Sequence, residues 1–284
     1  MSKGVLYMLG ATLLFAIMNV LVKSISNIPA VEVVFFRSVV SFIISFGTLK
    51  AAGLQVFGSR KNRWLLILRG ASGAIALVMY FYLLQVIPLA TAVVLQFLTP
   101  ILTSLFGIVI AKEKVHPVQW IFFALAFTGV ILVQGFDARV TLFHLVIGIL
   151  AALFAGLAYN FIRKIGKSEN SLVIILYFPL ITAPLTGGYT LFNWVEPQGW
   201  EWFILLSIGL LTQFAQYFMT KSYQSDELSK VSSVNYTGII YGLAFGWLFF
   251  DEQFNFLTYA GMSLVLIGVI LNVWFKNSQK KRTV

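Results

Sequence analysis

The chain has 284 residues, 59% of them hydrophobic and only 11% charged, with a mean hydropathy of +0.89. A water-soluble domain carries roughly 25% charged residues, so this composition excludes one and predicts an all-α polytopic membrane protein. The net charge of +10 reads as an orientation signal rather than a nucleic-acid footprint, and the absence of cysteine excludes disulfides.

Ten apolar stretches of about 20 residues, long enough to cross a bilayer, follow one another along the chain. They lie near 4–25, 29–49, 64–86, 90–110, 118–135, 142–162, 171–192, 202–222, 230–250 and 256–275. The first has one early lysine and no small-residue cleavage site after it, so it is expected to be a retained helix rather than a signal peptide. It carries Asn19 near its far end. Turn formers separate the spans at "SNIP" (26–29), "GSRKNR" (58–63), "KEKVHP" (112–117) and "EPQG" (196–199).

Lys and Arg gather on the cytoplasmic side of short loops. With the N-terminus inside, sixteen of the twenty basic residues fall in cytoplasmic segments and two, Lys23 and Arg139, fall outside. The other two, Arg37 and Arg69, lie within spans. Both termini are therefore expected in the cytoplasm, with residues 276–284 as a basic cytoplasmic tail that can touch anionic lipid.

A shift of 139 residues superposes the chain on itself. "LFA" at 14–16 meets "LFA" at 153–155, Gly70 meets Gly209, Glu113 meets Glu252, and "GVIL" at 129–132 meets "GVIL" at 268–271. The predicted units are 4–135 and 142–275, five spans each. An odd number of spans inverts the second copy, and inverted repeats are an architecture of secondary transporters.

"E-x-x-F-F-R" at 32–37, "LRG" at 68–70, "YFY" at 80–82, "TP" at 99–100 and an acidic residue closing the fourth and ninth spans are similar, in order and spacing, to the drug/metabolite transporter superfamily. The ten-helix EamA family is the closest resemblance, and it covers residues 4 to 275. Where that family has "GE" closing these spans, this chain has "KE" at 112–113 and "DE" at 251–252, a departure that bears on packing. "FFR" with "LRG" also resembles a subgroup that includes S-adenosylmethionine carriers. The resemblance implies a central cavity between the third, fourth, eighth and ninth spans, with the first and sixth alongside.

Polar side chains in a span face protein or water, because lipid offers no hydrogen-bond partner. The eighth span has Gln213, Gln216, Tyr217 and Thr220 at helical spacing, and the fourth has Gln96, Thr99 and Thr103 around Pro100. The ninth has Asn235, Tyr236 and Tyr241, the third Arg69, Ser72, Gly73 and Tyr80, and the sixth Tyr159 and Asn160. The expected substrate-binding set is Asn19, Arg69, Tyr80, Gln96, Thr99, Tyr159, Gln213, Gln216, Tyr217, Asn235, Tyr236 and Tyr241. For a single Ser or Thr, helix-to-helix hydrogen bonding is the first reading. "G-x-x-x-G" at 238–242 reads first as close helix packing.

Arg37 admits three readings: a structural ion pair or carbonyl cap inside the bundle, attraction of a carboxylate or phosphate on a solute, or snorkelling. The resemblance favours the structural one, and Arg69 is the preferred solute contact. Glu32 and Lys23 flank the first outer loop and are placed to pair there; Glu32 and Arg37 are assigned structural or coupling roles.

The predicted function is secondary transport of a small polar or amphipathic metabolite, amino-acid-like, nucleoside-like or vitamin-like, by alternating access. Multidrug export is the second reading, weakened because no acid lies at mid-span. An intramembrane enzyme is the third: there is no H-E-x-x-H and no P-loop, and both histidines, His116 and His144, sit at span edges. No cofactor, metal or nucleic acid is expected. The expected partners are a small-molecule substrate and the lipid bilayer, with a homodimer left open and a bacterial inner membrane as the location.

Overall fold

Prolines and short polar side chains open the helices of this protein. The computed structural model describes residues 3–110, 116–165, 168–225, 234 and 236–282. The helices are α1 (Lys3–Ser24), α2 (Ala30–Ala51), α3 (Arg63–Val86), α4 (Leu89–Gln96), α5 (Thr99–Ile110), α6 (Pro117–Phe136), α7 (Leu142–Ile165), α8 (Ser171–Phe192), α9 (Trp200–Ser225), α10 (Thr237–Phe250) and α11 (Phe256–Arg282). Pro29 and Pro88 occupy the N-cap positions of α2 and α4. His116 caps α6: its Nδ1 accepts the Val118 N–H, while Gln119 returns its side chain to the His116 N–H. His144 likewise accepts the Thr141 N–H through Nδ1, so both histidines are occupied in local turns.

Among the described residues, eight helical segments are long and apolar enough to cross a membrane, with two shorter apolar helices, Pro117–Val133 and Thr237–Phe250. The fourth span departs from the expected continuous helix: it is split into α4 and α5 at Phe97–Leu98. Pro100 has no N–H for the Gln96 carbonyl four residues back, and the Thr99 hydroxyl donates to that carbonyl instead, at 2.7 Å. The last helix outruns its expected end at 275 and carries the start of the basic tail as helix to Arg282. The expected start of the ninth span, 230–233, lies outside the described residues.

Packing displays the internal duplication. α6 packs on α11, α3 on α7, α1 on α9, and α2 on α8 more extensively than other pairs. Under the 139-residue shift the α3–α7 contact becomes the α9–α1 contact, and the other two map onto themselves. The α6–α11 crossing is symmetric down to single atoms. A Cβ on Gly129 would lie 2.5 Å from the Gly261 carbonyl oxygen and 2.7 Å from the Val265 nitrogen; one on Gly268 would lie 2.7 Å from the Phe122 oxygen and 2.8 Å from the Ala126 nitrogen. Those partners are themselves 139 residues apart, so the two backbones meet where neither helix has a side chain. Connecting segments repeat the relation at opposite ends of the bundle. Asn27 Nδ2 donates to Glu201 Oε1 at 2.6 Å at one end, and Asn62 Nδ2 to Glu169 Oε1 at 2.8 Å at the other.

The largest apolar core lies toward the end where α1 terminates, with Ile25, Ile28, Leu83, Leu84, Ile87 and Leu89 all buried. A smaller one, around Leu49, Leu66, Ile165 and Tyr177, lies toward the opposite end. The space between them holds the site.

Candidate functional site

A cavity of about 380 Å³ lies between the halves, lined from α2, α3, α7, α8 and α9, with Gln96 contributed by the last residue of α4. Its lining begins at Arg37, Tyr80 and Gln96, each about two turns in from the end where α1 terminates, and continues to Ile162, close to the α7 C-terminus. The cavity therefore extends toward the end of the bundle at which α1 begins.

Phe178 organises its charged part. The Arg37 guanidinium carbon lies 5.2 Å from the Phe178 ring centroid and the Arg69 carbon 5.0 Å from it, so one ring serves two cations. Gly73 permits this: a Cβ there would come within 2.8 Å of the Phe178 ring. Arg37 is 5% exposed; its Nε donates to the Thr212 hydroxyl at 3.2 Å, and its guanidinium also faces Phe81 at 5.9 Å. Among the described residues the ion pairs are Lys23–Glu252 and Arg139–Asp137, so the expected structural ion pair of Arg37 is replaced by a hydroxyl and two rings.

The remaining polar lining is held in place by neighbours. Asn19 Nδ2 donates to the Tyr80 hydroxyl at 3.0 Å, and Gln213 Nε2 to the Ser45 hydroxyl at 3.3 Å. Gln96 donates weakly to Thr99 at 3.4 Å, and its Oε1 is buried without a protein donor among the described residues. Pro179 lies on the wall and has no N–H for the Ile175 carbonyl, which belongs to the same wall.

The end where α1 terminates is closed. Glu252 Oε1 accepts the Leu89 N–H at the start of α4, at 2.7 Å, and pairs with Lys23 Nζ at 3.2 Å. Lys23 also donates to the Ile87 carbonyl at 2.7 Å. Asp251 makes this turn in the left-handed region, at φ 50°, and the Glu252 N–H returns to the Gly246 carbonyl at 3.0 Å. The expected pairing of Lys23 with Glu32 is not formed. Glu32 is fully buried against the α8–α9 connection, where its Oε2 accepts the Val195 N–H at 3.1 Å.

Of the expected binding residues, Arg69, Tyr80, Gln96, Tyr159, Gln213 and Gln216 line the cavity. Asn19 and Thr99 stand behind it, positioning Tyr80 and closing the α4 terminus. Tyr217 does not line it: it is 53% exposed, on the face of α9 away from the cavity, with Lys221 over its ring. Tyr236 packs on Phe97 and Tyr241 stacks on Phe245, and neither reaches the cavity. Asn235 lies outside the described residues. The small faces of Gly238 and Gly242 bring α10 against Phe97 and Val93, and no described residue of α10 lines the cavity. In its place α2 and α8 supply Ser41, Phe178 and Pro179. The sequence signal for α2 was Arg37, Ser41 and Ser45 at i, i+4 and i+8, one face of a helix.

Comparison with known proteins agrees with this architecture. The EamA-like transporter family matches residues 2–134 and again 142–274. The chain is 32% identical to the pseudopaline exporter CntI of Pseudomonas aeruginosa, over 95% of both chains. It is 27% identical to human solute carrier family 35 member G1, over 97% of this chain and 81% of that one. It is 25% identical to a riboflavin transporter of Rhizobium johnstonii, over 93% and 88%. A crystal structure of an 18% identical protein superposes with a TM-score of 0.66 over 97% of this chain and 98% of the other, a likeness of fold. Two matched halves, ten spans and a cavity between them agree: the chain belongs to the EamA-like transporter family, within the drug/metabolite transporters, and is an integral membrane protein.

Proposed function

We propose that the protein is a secondary carrier that moves a small polar or amphipathic metabolite across the membrane by alternating access of the central cavity. The observation that carries this reading is the cavity itself: it draws lining from both halves, reaches the middle of the bundle, and stops at a sealed end. Its volume is within the range of small-molecule sites, roughly 300–1,000 Å³. The named activities of the relatives, export of pseudopaline and transport of riboflavin, support a metabolite rather than a bulk lipid or an ion.

The strong bias of basic residues supports cytoplasmic termini in a bacterial inner membrane, with the cavity facing the cytoplasm in this conformation. Multidrug export of lipophilic cations is disfavoured by two arginines in the lining, with no acid among its described residues. Counterflow in proteoliposomes tests the proposal. A labelled solute is expected to accumulate against the unlabelled pool inside, and Gln216→Ala should slow its exchange. An inserted, folded protein that exchanges nothing across broad metabolite pools contradicts it.

A further inference from the structure

We infer that the transported solute is an organic anion, whose oxyanion group, carboxylate or phosphate, is held by Arg37 and Arg69 against Phe178. The inference rests on the carrier reading above and assigns its substrate class.

Two positive charges share one ring within a cavity walled mainly by apolar side chains. Arg37 Nη1, Arg69 Nε and Arg69 Nη1 are buried without a protein acceptor among the described residues. Removing an ion from water costs several kcal/mol even after relaxation, and two like charges close together raise that cost. Cation–π contacts return about 0.5–2 kcal/mol each, and the single bond from Arg37 to Thr212 is to a neutral hydroxyl.

Among the described residues no acid is placed to complete a pair. The chain's carboxylates stand at 32, 113, 137, 169, 196, 201, 226, 227, 251 and 252, all at span ends or in connecting segments. Glu32, five residues from Arg37 in sequence, accepts the Val195 N–H. An arginine serving only to join helices would spend its planar fork on carbonyls or a carboxylate. These two keep unspent donors, and both line the cavity. A solute oxyanion would supply the missing counter-charge and accept from both forks. The amides of Gln213 and Gln216 and the Tyr159 phenol, further round the wall, suit the polar groups of the solute's organic body.

The test is efflux from proteoliposomes loaded with a small-molecule extract of the expressing cells, with released solutes identified by mass spectrometry against protein-free liposomes. Wild-type protein is expected to release solutes carrying a net negative charge at neutral pH, and the identified species separate carboxylates from phosphates. Arg69→Gln and Arg37→Gln should each lower that release about tenfold, and Arg69→Lys, which keeps a point charge, should lower it less. Release confined to cations or neutral solutes overturns the anion assignment and leaves the carrier reading intact; this result comes from wild type and depends on no variant folding. Anion release unchanged in both glutamine variants also overturns the arginine seat. No protein-dependent release of any solute class removes the carrier reading, and the anion assignment with it.

Discussion

The carboxylate of Glu252, in the second half of the chain, accepts the backbone N–H of Leu89, in the first, at 2.7 Å. This places a negative charge on the positive end of α4 and, through Lys23, ties the ends of α1, α4 and α10 together on the closed side of the cavity. Glu252→Gln keeps the shape but removes the charge, and Lys23→Met leaves the carboxylate without its cation. Each is expected to destabilise the protein by roughly 2 kcal/mol, read as a lowered thermal midpoint in detergent. Midpoints equal to wild type in both variants would show that this seal contributes nothing to the folded state.

Asp251 makes its turn at φ 50°, where an L side chain is strained and glycine is not. It stands where the resembling family carries glycine before the acid. Asp251→Gly should therefore raise stability by up to about 1 kcal/mol, while Asp251→Val should lower it. A lower midpoint for the glycine variant would mean that the Asp251 side chain contributes something beyond the turn.

The α6–α11 crossing predicts matched damage. Gly129→Val and Gly268→Val should each prevent the two backbones from meeting, because a Cβ at either position already lies 2.5 to 2.8 Å from partner main-chain atoms. Both variants should be recovered poorly, or elute as aggregate on size exclusion, to a similar extent. Trp120→Ala, on the exposed side of α6, should behave as wild type. Sharply unequal effects of the two glycine replacements would contradict the symmetric crossing.

On α9, Gln213→Ala removes a cavity amide, while Tyr217→Ala alters only the outward face. Counterflow should fall several-fold in the first, since one hydrogen bond contributes about 0.5–1.5 kcal/mol, and stay unchanged in the second. The reverse order of effects would mean that the solute path runs along the other face of α9.

The difference between these two residues shows how far the sequence could be read. Span positions, the 139-residue repeat and the two intramembrane arginines follow from composition and spacing, because hydrocarbon permits so few alternatives. The polar stripe on α9 was legible as a stripe, but its edge was not. Tyr217 follows Gln216 by one residue, about 100° round the helix, and that rotation carries it from cavity to exterior. Thr212 and Met219, at i−4 and i+3 from Gln216, line the cavity instead. Phe178 was illegible for another reason: one phenylalanine among 27 gives no sign that two cations will share it. The break in α4–α5 had a visible cause in Pro100, yet the hydroxyl that replaces the lost donor becomes evident only once Thr99 is seen beside the Gln96 carbonyl.

The chain has no cysteine, so a single Ala76→Cys variant places one thiol on the cavity wall, four residues before Tyr80. Its reaction with a membrane-impermeant thiol reagent, applied separately to right-side-out and inverted vesicles, tests alternating access most directly. The account predicts modification from both sides, faster from the end at which α1 begins, toward which the cavity extends and which the proposed topology puts in the cytoplasm. Modification from one side only, unchanged during solute exchange, would describe a fixed vestibule and contradict a carrier.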